Sequence, residues 1–149
     1  MKFLKNITIF TLGLLYIIIG IKHFTATDFF ISIVPPFISF KKEVVLVSGL
    51  IEIILGLFLL FKKTRKVSAY GIIILLIAVF PANIYLFISE TPRISLGISQ
   101  EQALIRMPFQ IPLILLAFWH SSESHSKFFS LLCSVLFLPT ILYFLLLSS

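Results

Sequence analysis

The chain has 149 residues and a net charge of +6; 59% of its residues are hydrophobic, only 12% are charged, and 17 are phenylalanine. A soluble domain carries roughly 25% charged residues, so this composition, with a mean hydropathy of +1.12, excludes an ordinary soluble globular domain and points to a membrane protein. The basic residues flank apolar runs and show no aromatic–basic interleaving, which argues against nucleic acid as a partner.

A membrane-crossing helix needs about 20 mostly apolar residues, and five stretches fit that length. The first, 7–24, follows Lys2 and Lys5. It is too long for the apolar core of a secretory leader, and no small-x-small cleavage site follows it, so it reads as a retained first span. Residues 25–43 contain FFISIVPPFISF, apolar but broken by Pro35 and Pro36. That segment is too short to cross and reads as interfacial or re-entrant. The second span, 44–61, ends at the basic connector KKTRK, and the third covers 67–88. Residues 89–102 read as a mixed polar loop. The fourth span, 103–119, is the least apolar because it holds Arg106 and Gln110. The connector HSSESHSK, 120–127, reads as solvated, with His120, Glu123 and His125 forming no metal set. Tyr85 and Trp119 read as interface anchors. The fifth span, 128–147, is apolar but interrupted by Pro139, and its expected role is packing or partner docking. Cys133 is the lone cysteine, so no internal disulfide or dithiol pair exists. The expected fold is an all-α integral membrane protein: a four-transmembrane-helix bundle over 1–120, then a polar connector and a fifth C-terminal transmembrane helix over 121–149.

Lysine and arginine concentrate on the cytoplasmic side of membrane proteins. Lys2, Lys5, the KKTRK connector and Lys127 fall on one side of this arrangement. Lys22, Lys41, Lys42 and Arg93 fall on the other, offset by Asp28, Glu43, Glu90 and Glu101. The N-terminus is therefore expected in the cytoplasm, and both long connectors outside.

Polar residues inside the spans carry the functional signal. At 1.5 Å per residue, Glu52 lies about 12 Å and Asn83 about 9 Å from the outer end of their spans. Arg106 and Gln110 share one face near the outer start of the fourth, and His23 closes the first. A charge in mid-bilayer costs on the order of 2.5–3.5 kcal/mol. Pairing offsets that cost, and a guanidinium matches a carboxylate in a two-pronged bond. The expectation is a Glu52–Arg106 pair with His23, Asn83 and Gln110 around it. Gly13, Tyr16, Gly20 and His23 form one stripe, and Ser48, Gly49, Glu52 and Gly56 another, so the two small-residue faces are expected to meet. Pro81 removes the hydrogen bond to the carbonyl of Ile77, and Pro108 and Pro112 act likewise in the fourth span. Such kinks are tolerated where a neighbour satisfies the freed group. Two bent helices beside a polar cluster predict a cavity open toward the outer leaflet. The inner halves of the spans show almost no polar residues, which disfavours an ion path and leaves transport a minor reading. The plain alternative is a buried Glu–Arg pair that fixes helix register.

The segments GIKHF (20–24), FFISIVPP (29–36), SGLIEIILGLFLL (48–60), LLIAVFPANIYLF (75–87) and RMPFQIPLILLAFW (106–119) together resemble the DoxX-like family of small multi-span bacterial membrane proteins. The resemblance runs from Gly13 to Trp119, implies a four-helix bundle, and leaves 128–147 as an addition. Its shared positions here are His23, Glu52, Pro81, Asn83, Arg106 and Gln110; Thr27 stands where a proline is expected after the HF pair. The resemblance implies a location in the bacterial plasma membrane and a redox association: a quinone or other lipid-soluble ligand, or support of a partner oxidoreductase. No catalytic motif and no metal site accompany it. The alternative is a non-enzymatic assembly factor with a membrane partner or a second copy of itself.

Overall fold

The computed structural model describes residues 2–147, with side chains through Tyr143. All regular structure among them is helical: α1 (Lys2–Thr25), α2 (Thr27–Ser32), α3 (Lys41–Leu60), α4 (Arg65–Ile88), α5 (Glu90–Leu96), α6 (Gln100–His120) and α7 (Lys127–Leu147). By length and composition α1, α3, α4 and α6 can each cross a membrane. Their outward faces are apolar, with Ile74, Ile77 and Ile111 each more than three-fifths exposed.

Local chemistry sets the helix ends. Ser99 and Gln102 form a reciprocal capping box at the start of α6, with bonds of 3.1 and 2.8 Å. Gly97 closes α5 at φ 64°, a left-handed position that suits glycine. Arg93 of α5 donates to the carbonyls of Leu86 and Phe87, which the end of α4 leaves open. Residues 89–102, read from sequence as a loop, therefore contain a helix. Its charged side chains made the stretch look like a connector, although one of them caps the preceding helix.

The closest packing is of α1 on α3, followed by α4 on α6; α3 also packs on α4 and α6 on α7, and α7 touches α1 to close the ring. The two small-residue stripes meet as expected. Gly13 lies against Gly56 and Gly20 against Gly49, in antiparallel register. The glycines are seven apart on each helix, so both contacts fall on one seam. Leu12, Leu59, Ile72, Leu116 and Cys133 are buried in one common core. α7 thus adds to the same core that the other helices build, through Cys133, Phe137 and Ile141.

Trp119 departs from its sequence reading. It is 1% exposed, and its indole donates to Ser130 Oγ at 3.1 Å, tying α6 to α7. An indole serves an interface or a core equally well when its N–H finds a partner. α2 and α5 meet over one end of the bundle. The KKTRK and HSSESHSK connectors meet at the opposite end, where Arg65 Nη1 stands 3.8 Å from Glu123.

Candidate functional site

Beneath α2 and α5 lies a cavity of about 660 Å³, within the range of small-molecule sites. α1 contributes Tyr16, α3 Glu52, α4 Asn83, and α6 Arg106 and Gln110; Phe29 and Phe30 of α2 cover it and Leu96 of α5 flanks it. Lys22 and Thr25 of α1 also line it, and the rest of the wall is aliphatic, including Leu15, Ile19, Val79 and Leu113. Four of the five polar residues expected from the sequence thus share one cavity. The fifth, His23, stands directly behind it.

Glu52 is 8% exposed on the glycine seam of α3. Its Oε2 lies 3.3 Å from His23 Nδ1. That nitrogen is also 2.9 Å from the carbonyl oxygen of Ile19. A carbonyl only accepts, so Nδ1 carries the hydrogen and donates it there. Glu52 Oε2 is left without a hydrogen bond. Phe30 stacks on the His23 ring at 3.7 Å and 21° between planes, so α2 is held to the bundle through the partner of Glu52.

The expected Glu52–Arg106 pair does not form. The close neighbour of Glu52 is His23, and Arg106 stands beside Tyr143 of α7. The two charged residues face one cavity from different helices and leave it between them. Similar depth along two helices fixes height in the bundle but not the lateral separation. α4 and α6 run through Pro81, Pro108 and Pro112 as continuous helices. Gln110 Nε2 reaches the carbonyl of Leu76 at 3.5 Å, one position before the carbonyl freed by Pro81.

Tyr16 OH, Glu52 Oε2 and Arg106 Nε are buried atoms without a hydrogen-bond partner, and all three residues line this cavity. Leaving a buried polar atom unpaired costs about 1–3 kcal/mol. Three such atoms surround one space. Tyr16 was visible in sequence only as a member of a small-residue stripe. Its role follows from the cavity that the stripe borders.

Sequence reasoning missed a second polar cluster at the opposite end. His120 is 2% exposed, and its Nε2 lies 2.9 Å from Thr8 Oγ1. Ser68 Oγ donates to the carbonyl of Leu55. Buried Arg65 donates to the carbonyls of Leu59 and Leu60. The expectation of a solvated His120 and of apolar inner halves is therefore corrected: α6 extends through His120 and turns it inward onto α1. His125 does stay in the connector, in ring contact with Phe118 and Phe129. Partial burial there, with Lys5 nearby, holds its imidazole below the usual range.

Fold and cavity define an all-helical bundle with four helices apolar enough to cross a membrane and a polar-headed cavity at one end. The chain belongs to the family described as Domain of unknown function (DUF8561), which matches residues 12–121. That match takes in every residue lining the cavity and stops where α6 ends. Neither the curated proteins nor the solved structures give a match.

Proposed function

We propose that this protein is a five-span protein of the bacterial plasma membrane, N-terminus inside, which binds a lipid-soluble ligand of the quinone class in the outer half of the bilayer and serves a partner oxidoreductase. The observation that carries the reading is the set of unpaired atoms on Tyr16, Glu52 and Arg106 around one cavity. A flat ring bearing two oxygens fits their chemistry. Arg106, Asn83 and Tyr16 would donate to a ring oxygen, and Glu52, backed by His23, would hold or release a proton beside it. A bound quinone would supply the electron-carrying chemistry. The aliphatic wall would take the ring faces. The DoxX resemblance supports the same redox association.

Native mass spectrometry of protein extracted in mild detergent tests this. The wild type is expected to carry a quinone-sized mass in stoichiometric amount, and Asn83→Ala to lose it with its melting temperature unchanged. A bare wild-type chain in a quinone-containing membrane would overturn the reading. The basic connectors support the orientation and the apolar length of α7 the fifth crossing. A tag on the C-terminus is accordingly expected to be cut by protease added from outside the cell. Cleavage only from the cytoplasmic side would remove the five-span arrangement.

A second reading, an assembly factor, draws on Phe37 and Phe40. They follow the Pro35–Pro36 pair and are 76% and 72% exposed. It requires a co-purifying polypeptide that is lost when both are changed to serine.

A further inference from the structure

The cavity has an apolar neighbour. A groove of about 360 Å³ runs between α4 and α6, lined by Leu76, Ile77, Phe80, Met107, Pro108, Ile111 and Ile114 with Gln110 as its one polar member. Leu76 and Gln110 line both spaces. These two residues form a wall that the spaces share, and the Gln110–Leu76 hydrogen bond crosses from α6 to α4 within it. At 3.5 Å that bond is long and weak. The groove side of the wall opens onto the apolar flank of the bundle, where Ile77 is 62% and Ile111 61% exposed.

The prolines explain why a groove exists here. Pro108 is itself part of the lining, and Pro81 follows Phe80. Each ring replaces a backbone N–H and pushes on the preceding turn, so two proline-bearing helices cannot close against each other as tightly as α1 and α3 do on their glycine seam. The gap falls beside the polar cavity, and its lining is aliphatic and aromatic.

From this continuity we infer that the groove is the seat of the ligand's hydrocarbon tail: the ligand is an amphiphile whose polar ring enters the cavity sideways, between α4 and α6, and whose tail stays in the groove at the lipid boundary. The inference rests on the ligand reading above and narrows it to a tailed molecule. The tail leaves lipid for an equally apolar groove, so it adds little affinity of its own. What the groove provides is a place to put it. Blocking the groove is then expected to exclude tailed ligands selectively, and to leave a tail-less ring able to bind.

The test uses two probes on the full purified chain in detergent: a methoxylated benzoquinone with no tail, and the same ring with a decyl tail. Affinities are corrected with empty micelles. Ile111→Trp and Ile77→Trp each place bulk in the groove from a position that is mostly exposed and outside the cavity lining, so the fold and the ring site are untouched. Either variant is expected to weaken the decyl probe at least tenfold while the tail-less ring stays within twofold. Unchanged binding of both probes by both variants would overturn the groove as the tail seat and leave the ring site standing. Equal loss of both probes would also overturn it, since the effect would then fall on the ring. Failure of both probes to bind the wild type would instead overturn the ligand reading itself.

Discussion

Gly20→Ala is expected to lower the stability of the bundle by about 1–3 kcal/mol, the range for forcing extra bulk into a packed site. A Cβ at Gly20 would stand 2.6 Å from the carbonyl oxygen of Gly49 and 3.0 Å from the backbone nitrogen of Ile53. Backbone atoms have no rotamer to escape into. The helices must separate, and the whole α1–α3 seam loosens with them, including the His23–Glu52 contact at its end. Gly56→Ala repeats the test from the other helix, since its Cβ would meet the Gly13 carbonyl at 2.7 Å. Gly71 is the control. A Cβ there meets the tip of the Leu55 side chain, which can turn aside, and alanine is the better helix former by about 1 kcal/mol. Thermal unfolding in one detergent compares the three variants. Equal melting temperatures for Gly20→Ala and Gly71→Ala would mean that the close seam contributes nothing particular to stability.

Glu52→Gln is expected to separate stability from ligand binding. Glutamine keeps the shape of the side chain and cannot carry its charge. Burying a charge in a bundle is unfavourable unless it is fully paired, and Glu52 Oε2 has a histidine close by but accepts no hydrogen bond. The variant should therefore melt at the wild-type temperature or above it. Binding of the tail-less benzoquinone should fall at least tenfold, because the carboxyl group facing the cavity is gone. A variant that is destabilised and still binds would assign Glu52 to the fold and remove it from the site. A double-mutant cycle adds the partner: coupling is expected between Glu52 and His23, and not between Glu52 and Arg106, which turns to Tyr143.

Much of this architecture was legible because long apolar runs narrow the choices. Apolar runs of sufficient length become helices, since no other open segment satisfies its backbone in hydrocarbon. The Gly13/Gly20 and Gly49/Gly56 stripes announced their own contact, because small residues recur where helices approach closely. Glu52, Asn83, Arg106 and Gln110 were recognisable as a group because each is too polar for its surroundings. The short helix α5 was hidden by charged residues that read as loop, and buried His120 by the serines that follow it.

The sequence by itself determined the long helices, the α1–α3 seam and the polar residues that gather at one end. These follow from hydropathy, spacing and depth, all of which are properties of single segments. Only the tertiary structure decided who pairs with whom. It turned Glu52 to His23, gave Arg106 to Tyr143, drew Trp119 and His120 into the core, and left a cavity where an ion pair was expected. The physical reason is lateral. Rise per residue sets how deep a side chain sits, but the order of helices around the ring and the width of the gaps between them depend on how all the faces pack at once.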